Sequence, residues 1–250
     1  MDARVRELVK ATIPVLKEHG VALTTYFYQR LFRHNPELKN IFNQSHNETG
    51  KQPVALAMAV LAYAENIDDP SVLAPVITLI ANKHASVGIR AEHYPIVGKH
   101  LLASIREVLG DAASDELIHA WGVAYGALAD VFIEAESKLY DQACNADGGW
   151  SGWRSFRIID KVRESEEITS FHLVPCDGGP LPAYRAGQYT TARVFVPELG
   201  VMQLRQYTLS IAPGAMHFRI SVKREPASTT TPAGRVSNRL HDFYKVGDML

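Results

Sequence analysis

The sequence predicts a chain of two unlike parts, an all-α domain followed by a small antiparallel β-barrel or sandwich. Three observations carry this. Apolar residues recur at helical spacing from Asp2 to about Tyr140, and from Phe156 onward they alternate with a period of two. Between the two regimes lies Cys144 to Gly152, CNADGGWSG, which reads as a linker by composition. The length of 250 residues also exceeds the ~150 residues usual for one domain. The expected division is 1–140 for the helical domain, 141–152 for the linker and 153–250 for the β domain.

In the first part Val5, Leu8, Val9 and Leu16 form one apolar stripe. Val21, Thr24, Tyr28, Leu31 and Phe32 form the next, and Val54, Met58, Leu61 and Ala62 a third. Breaks are expected at His19-Gly20, Asn35-Pro36, Thr49-Gly50, Asp68 to Pro70, Tyr94-Pro95 and Leu109 to Asp111, which leaves six or seven helices ending in a long one from Glu116 to Tyr140. In the second part, strands are expected at Phe156 to Ile158, Ile168 to Val174, Gln188 to Val196, Gln206 to Leu209 and His217 to Val222. A loop at Ala227 to Gly234 and a helix at Val236 to Tyr244 follow, and Val246 to Asp248 begins another turn and strand.

Composition excludes several classes. Apolar residues make up 46% of the chain and charged ones 21%, so a folded globular protein is expected rather than a disordered one. The 26 Lys and Arg nearly balance the 27 Asp and Glu, which gives no electrostatic case for a nucleic-acid partner. Cys144 and Cys176 are too few for a disulfide scaffold and read as free thiols of a reducing compartment. The N-terminus lacks a signal-peptide layout, and the longest apolar run, Val54 to Ala64, falls short of the ~20 residues that span a bilayer. A soluble cytoplasmic chain, not an integral membrane protein, is expected. No G-x-G-x-x-G occurs, so a nicotinamide-binding fingerprint is absent.

Several residues could carry chemistry. His84 ends a stripe of Val76, Ile77 and Ile80; it suits a core position or, as a neutral imidazole, an axial iron ligand. Tyr28 lies on the apolar face of its helix and needs a hydrogen-bond partner, whether a backbone carbonyl or a ligand. Gln52 and Leu56, four apart, could line a pocket or be a solvated Gln beside a core Leu. Glu136 follows Phe132 and Ile133 at helical spacing, near an apolar face, while Trp121, Tyr125, Leu128 and Phe132 read as core. In the β part, Arg205-Gln206-Tyr207-Thr208 offers a phosphate clamp, a flat stacking face and a polar donor on one strand. Gly234 to Asn238 adds a glycine turn opening a helix, whose free N–H groups suit an anion.

At these residues the sequence resembles the flavohemoglobins. Lys10 to Pro14, Phe27-Tyr28, His34 to Lys39, Ile41 to Asn43, Lys83 to Ser86, Tyr94 to Gly98 and Ala120 to Gly122 are similar to the globin half of that family. Gly148 to Trp150 resembles its linker. Ala186 to Tyr189, Arg205 to Thr208, Val222 to Glu225 and Val236 to Asn238 resemble its flavin-binding barrel, of the ferredoxin-reductase type.

The resemblance implies a globin fold holding haem b, with His84 as the proximal iron ligand and Phe42 wedged against the porphyrin. Tyr28, Gln52 and Leu56 would line the distal pocket, with the Tyr28 hydroxyl donating to dioxygen. Tyr94 and Glu136 would hydrogen-bond the proximal imidazole and strengthen its electron donation, and Lys83 would lie between haem and flavin. Tyr189 and Tyr207 would contact FAD, with Arg205, Gln206, Thr208 and the Gly234/Ser237 turn holding its phosphates or ring; Thr208 stands where Ser is commoner in the family.

The activity so implied is nitric oxide dioxygenation, converting NO and O2 to nitrate at a haem re-reduced through FAD by NAD(P)H. A lipid in the distal pocket is a further possibility of the family, and a monomer is expected. Family members continue beyond the equivalent of Val246 to Asp248 with the rest of the barrel and a nicotinamide-binding domain, so the resemblance implies an incomplete barrel and doubtful turnover by these residues alone. The alternative is a non-enzymatic oxygen-binding or oxygen-sensing globin with an interaction module.

Overall fold

The computed structural model describes residues 1–229 and 231–250. The chain divides into two compact units, Met1–Lys138 and Leu139–Leu250. Among the described residues the first unit holds α1 (Ala3–Ala11), α2 (Ile13–His34), α3 (Gln44–Glu48), α4 (Lys51–Glu65), α5 (Ala74–Val87), α6 (His93–Leu109) and α7 (Asp115–Asn145), the last reaching into the second unit. The second unit continues with β1 (Phe156–Arg163), β2 (Ile168–Pro175), β3 (Tyr189–Val196), β4 (Val201–Thr208), β5 (Phe218–Lys223) and α8 (Arg235–Phe243).

Local chemistry sets most of the helix boundaries. The Asp2 carboxylate accepts from the Val5 amide at 2.8 Å and opens α1, and Asn43 caps α3 in the same way. Gly50 and Gly88 take left-handed backbone angles of 74° and 81° in φ, one opening α4 and the other closing α5. The expected break at His19-Gly20 does not occur: α2 runs through it. A Cβ at Gly20 would stand 3.6 Å from the Ala57 Cβ, so this glycine marks close packing of α2 on α4. Pro95 likewise lies in the first turn of α6, where a missing N–H costs nothing.

The core of the first unit gathers Val9, Phe27, Leu31, Ala64, Leu101, Trp121 and Ala124. One stripe was misplaced by periodicity. Val54 and Met58 are exposed on α4, whereas Pro53, Ala57, Tyr63 and Ala64 are buried. The run from Val54 to Ala64 is apolar all round, so spacing alone could not say which side turns inward. Helix α7 is the one described helix long and apolar enough, by length and composition, to cross a membrane, which the short run at Val54 did not reveal. Its inward face, with Ala120, Trp121, Ala124, Phe132 and Glu136, is buried in the unit. The helix also continues to Asn145, so the start of the expected linker is helical.

A buried polar cluster ties α2 to α6. His100 is 2% exposed; its Nδ1 lies 2.5 Å from Arg30 Nη1 and its Nε2 lies 2.8 Å from Asn35 Oδ1. Desolvation, then the neighbouring Arg30 charge, holds its pKa below the ordinary value, so the ring is neutral, accepting from Arg30 and donating to Asn35. His100 is accounted for by this packing role.

In the second unit all strands are antiparallel. β1, β2 and β5 form one sheet in the order β1-β2-β5, and β3 pairs with β4. A bridge from Leu209 to Ile220 carries β4 into β5, and separately the Phe156 amide and carbonyl of β1 pair with Leu250. The sheets do not close into a full cylinder. Phe171, Ile158, Val194, Val196, Ile220 and Val222 alternate inward and pack under Val236 and Leu240 of α8. Lys161 of β1 donates to the carbonyls of His241 and Tyr244 at 2.6 and 2.7 Å and so caps the end of α8. The expected loop at Ala227 to Gly234 includes Thr230, which lies outside the described residues. Both cysteines are free thiols, as their number suggested.

Candidate functional site

Proximal residues converge from three helices. His84, in the last turn of α5, has its Nδ1 2.8 Å from Glu136 Oε1 of α7 and 3.2 Å from the Tyr94 hydroxyl of α6. The Tyr94 hydroxyl donates to the same Glu136 oxygen at 2.5 Å. Glu136 is 2% exposed, so one buried carboxylate oxygen receives both groups. An acceptor at Nδ1 fixes the Nδ1–H tautomer of His84 and presents the Nε2 lone pair outward, as a metal ligand requires. Phe132 flanks the ring at a centroid distance of 5.5 Å.

Tyr125, read from sequence as plain core, extends this arrangement. Its hydroxyl donates to the Tyr94 carbonyl at 2.7 Å, and its ring occupies the space that Gly98 leaves by lacking a side chain. A Cβ at Gly98 would meet the Tyr125 ring at 2.5 Å. Gly98→Ala is therefore expected to destabilise the first unit by about 1–3 kcal/mol, read as a lower denaturant midpoint, and to loosen Tyr94. An unchanged midpoint would show that the ring can move aside at little cost. The sequence signal was the glycine on the inner face of α6.

The distal candidates also meet. Tyr28 is 4% exposed, and burial pushes its phenol up to about 12, so it holds its proton at any physiological pH. The Gln52 amide donates to the Tyr28 oxygen at 3.3 Å, and among the described residues the phenolic proton has no acceptor. A buried donor already accepting one bond, with its own hydrogen unused, suits a ligand that brings an acceptor. Phe42 packs edge-on against Tyr28 at 5.7 Å, and Leu56 lies against the same cluster. Lys83 is exposed, one residue before His84.

Strand register divides the flavin candidates between two faces. Arg205 is opposite Ala192 and Tyr207 opposite Thr190, on one face of the β3–β4 pair; Gln206 is opposite Thr191 and Thr208 opposite Tyr189, on the other. The structure therefore brings Arg205 together with Tyr207 but sets Tyr189 and the exposed Thr208 on the reverse side. Burial pushes the Tyr207 phenol up to about 12 and lowers the Arg205 pKa from its ordinary value.

Gly234 stands at the N-cap of α8 with no side chain to satisfy the first amides. A Cβ there would meet Ser237 Oγ and approach Glu225 Cβ to 2.8 Å, so the turn is a cradle open only to a glycine. Among the described residues two buried oxygens have no partner, Thr191 Oγ1 on β3 and Asn238 Oδ1 in α8. Sequence reasoning missed both, because only the fold shows which hydroxyl or amide is left unsatisfied. The orphaned Asn238 oxygen and the uncapped start of α8 suit a ligand rich in phosphate and hydroxyl groups, while Thr191 lies on the reverse face of the β3–β4 pair.

Comparison with known proteins settles the family. Residues 25–132 match the globin family. The flavohemoprotein of Chromobacterium violaceum is 63% identical over all 250 residues of this chain, which cover 62% of that relative. The chain belongs to the flavohemoglobins. A crystal structure of a Malassezia yamatoensis flavohemoglobin, with bound FAD and haem, matches 99% of the chain with a TM-score of 0.84 at 27% identity, covering 62% of that protein. A Campylobacter jejuni bacterial globin matches 56% of the chain with a TM-score of 0.54 at 38% identity, and 99% of that globin is covered. This flavohemoglobin chain thus spans about three fifths of the curated relative it matches.

Proposed function

We propose that the chain is the haem- and flavin-bearing part of a cytoplasmic nitric oxide dioxygenase, with haem b in the globin unit and FAD against β3, β4 and α8. The observation that carries this reading is the pairing of a carboxylate-backed His84 with a buried Tyr28 whose proton is unused. A carrier that only stores oxygen needs neither a charged partner behind its proximal imidazole nor a donor kept for a ligand that becomes anionic.

Haem, when bound, supplies an iron at which O2 and NO combine to nitrate, and FAD supplies electrons drawn from NAD(P)H. The residues of the chain do the rest. Glu136 holds the Nδ1 proton of His84 and gives the imidazole imidazolate character, so Nε2 becomes a stronger donor. Tyr94 donates to the same carboxylate and keeps it aimed at the ring. The Tyr28 hydroxyl, oriented through Gln52, would donate to a ligand that gains negative charge. Phe42 and Leu56 keep that hydroxyl dry, which strengthens the donated bond.

In the second unit Arg205 and Tyr207 offer a cation and a ring face for a phosphorylated aromatic cofactor. Gly234 and Ser237 supply a close backbone approach, and Asn238 an unsatisfied oxygen. Gly234→Val is expected to lower the flavin content of the purified chain by more than about tenfold, since it removes the cradle and blocks the amides, a loss of roughly 1.4 kcal/mol or more of binding. The 450 nm absorbance per chain measures it, and full flavin occupancy in the variant would place the cofactor elsewhere. The overall reading is tested by mixing NO with the reduced, oxygenated chain and measuring nitrate. Stoichiometric nitrate in one turnover supports it; slow NO binding without nitrate favours the oxygen-binding alternative.

A further inference from the structure

Helices α2 and α4 meet along one face of α2, where Gly20, Thr24 and Tyr28 follow at intervals of four. Gly20 lets α4 approach at Ala57, and Tyr28 meets Gln52. Thr24 stands between them, 1% exposed, a hydroxyl inside an apolar stripe. Its Oγ1 lies 3.0 Å from the Gly20 carbonyl and 3.2 Å from the Val21 carbonyl of its own helix, but 2.8 Å from the Pro53 carbonyl of α4. The hydroxyl has one proton, and the shortest of its three contacts crosses to the other helix.

A threonine within a helix ordinarily returns its proton to the carbonyl four residues back. The bond to Pro53 does more because of where it lands. Gln52, the neighbour of Pro53, lies in the first turn of α4, and Gly50 at the N-cap has no side chain to secure that turn. The Gln52 amide reaches the Tyr28 oxygen at 3.3 Å, at the far edge of the usual range of about 2.7–3.2 Å. A small shift at the start of α4 is enough to break it.

We propose that Thr24 is a positioning residue. By holding the Pro53 carbonyl it fixes the start of α4 against α2, which sets the Gln52 amide on the Tyr28 oxygen and so aims the phenolic proton. Its bearing on NO chemistry rests on the reading given above; the tether itself does not.

The experiment reads the C–O stretching band of CO on the reduced chain loaded with haem, since a donor aimed at the ligand lowers that frequency. Thr24→Val keeps the shape of the side chain and removes its proton. Its band is expected to move to higher frequency, toward that of Tyr28→Phe, whereas Thr24→Ser should keep the parent band. In the Tyr28→Phe background Thr24→Val should add no further shift, a coupling that lost packing alone would not produce. Thr24→Ala removes the same hydroxyl and takes the place of Thr24→Val if that variant does not fold. A parent band in Thr24→Val, or an equal shift with and without the Tyr28 hydroxyl, would overturn the proposal. A chain that passes this test yet forms no nitrate from NO keeps the tether and loses only the reaction assigned to the haem.

Discussion

Tyr28→Phe is expected to slow NO consumption by the reduced, oxygenated chain about a hundredfold, the usual cost of removing one well-placed donor to a developing anion. The variant keeps the ring and its packing against Phe42 and Phe32, so haem content and stability should barely change. What it loses is the hydroxyl that accepts from Gln52 and whose proton has no acceptor among the described residues. Because burial holds this phenol near 12, its donor role should show no titration between pH 6 and 9. A variant that consumes NO at the parent rate would show that the hydroxyl is only a core group satisfied by Gln52.

Glu136→Gln carries the second large effect. The amide can still accept from Tyr94 and from the His84 N–H, so the three side chains should stay in place, but the negative charge is gone. Loss of such an outer partner commonly costs 10–100-fold in activity, and a fall of about tenfold or more in NO turnover is expected. The midpoint potential of the iron should rise, since a less electron-rich imidazole stabilises the ferric state less. Potentiometric titration of the parent and the variant reads this directly. Equal potentials and equal rates would remove the electronic argument and restore the oxygen-binding alternative, with Glu136 no more than a structural acceptor.

Much of this arrangement could be read from the chain, but unevenly. The strands were legible because one buried face against one wet face produces alternation, as in Ala192, Val194 and Val196 of β3. The helices were harder. On α4, apolar all round, Val54 and Met58 were assigned inward when Ala57 and Tyr63 are the buried residues. Gly20 looked like a break and is a contact, because composition cannot distinguish a glycine that ends a helix from one that lets another helix approach.

The sites divide in the same manner. His84 is a lone histidine with no local motif, and only resemblance to the flavohemoglobins singled it out; its partners Tyr94 and Glu136 are 10 and 52 residues away. Tyr125 read as core because its hydroxyl finds a backbone carbonyl, a partner that no side-chain pattern announces. Arg205 and Tyr207 were visible as a short motif, yet their separation from Tyr189 and Thr208 follows from register, which spacing within one strand does not give. Thr191 and Asn238 were invisible for a further reason: what marks them is a missing partner.

The central claim is that His84 ligates a haem iron with the help of Glu136 and Tyr94. Absorption spectra of the chain reconstituted with haem, reduced with dithionite and exposed to CO, test it most directly when His84→Gly is measured beside the parent. The account predicts a strong Soret band that shifts with CO in the parent, and in the variant a weakened, altered band that added imidazole restores. No Soret band in the reconstituted parent, or the same CO spectrum with and without His84, would contradict it.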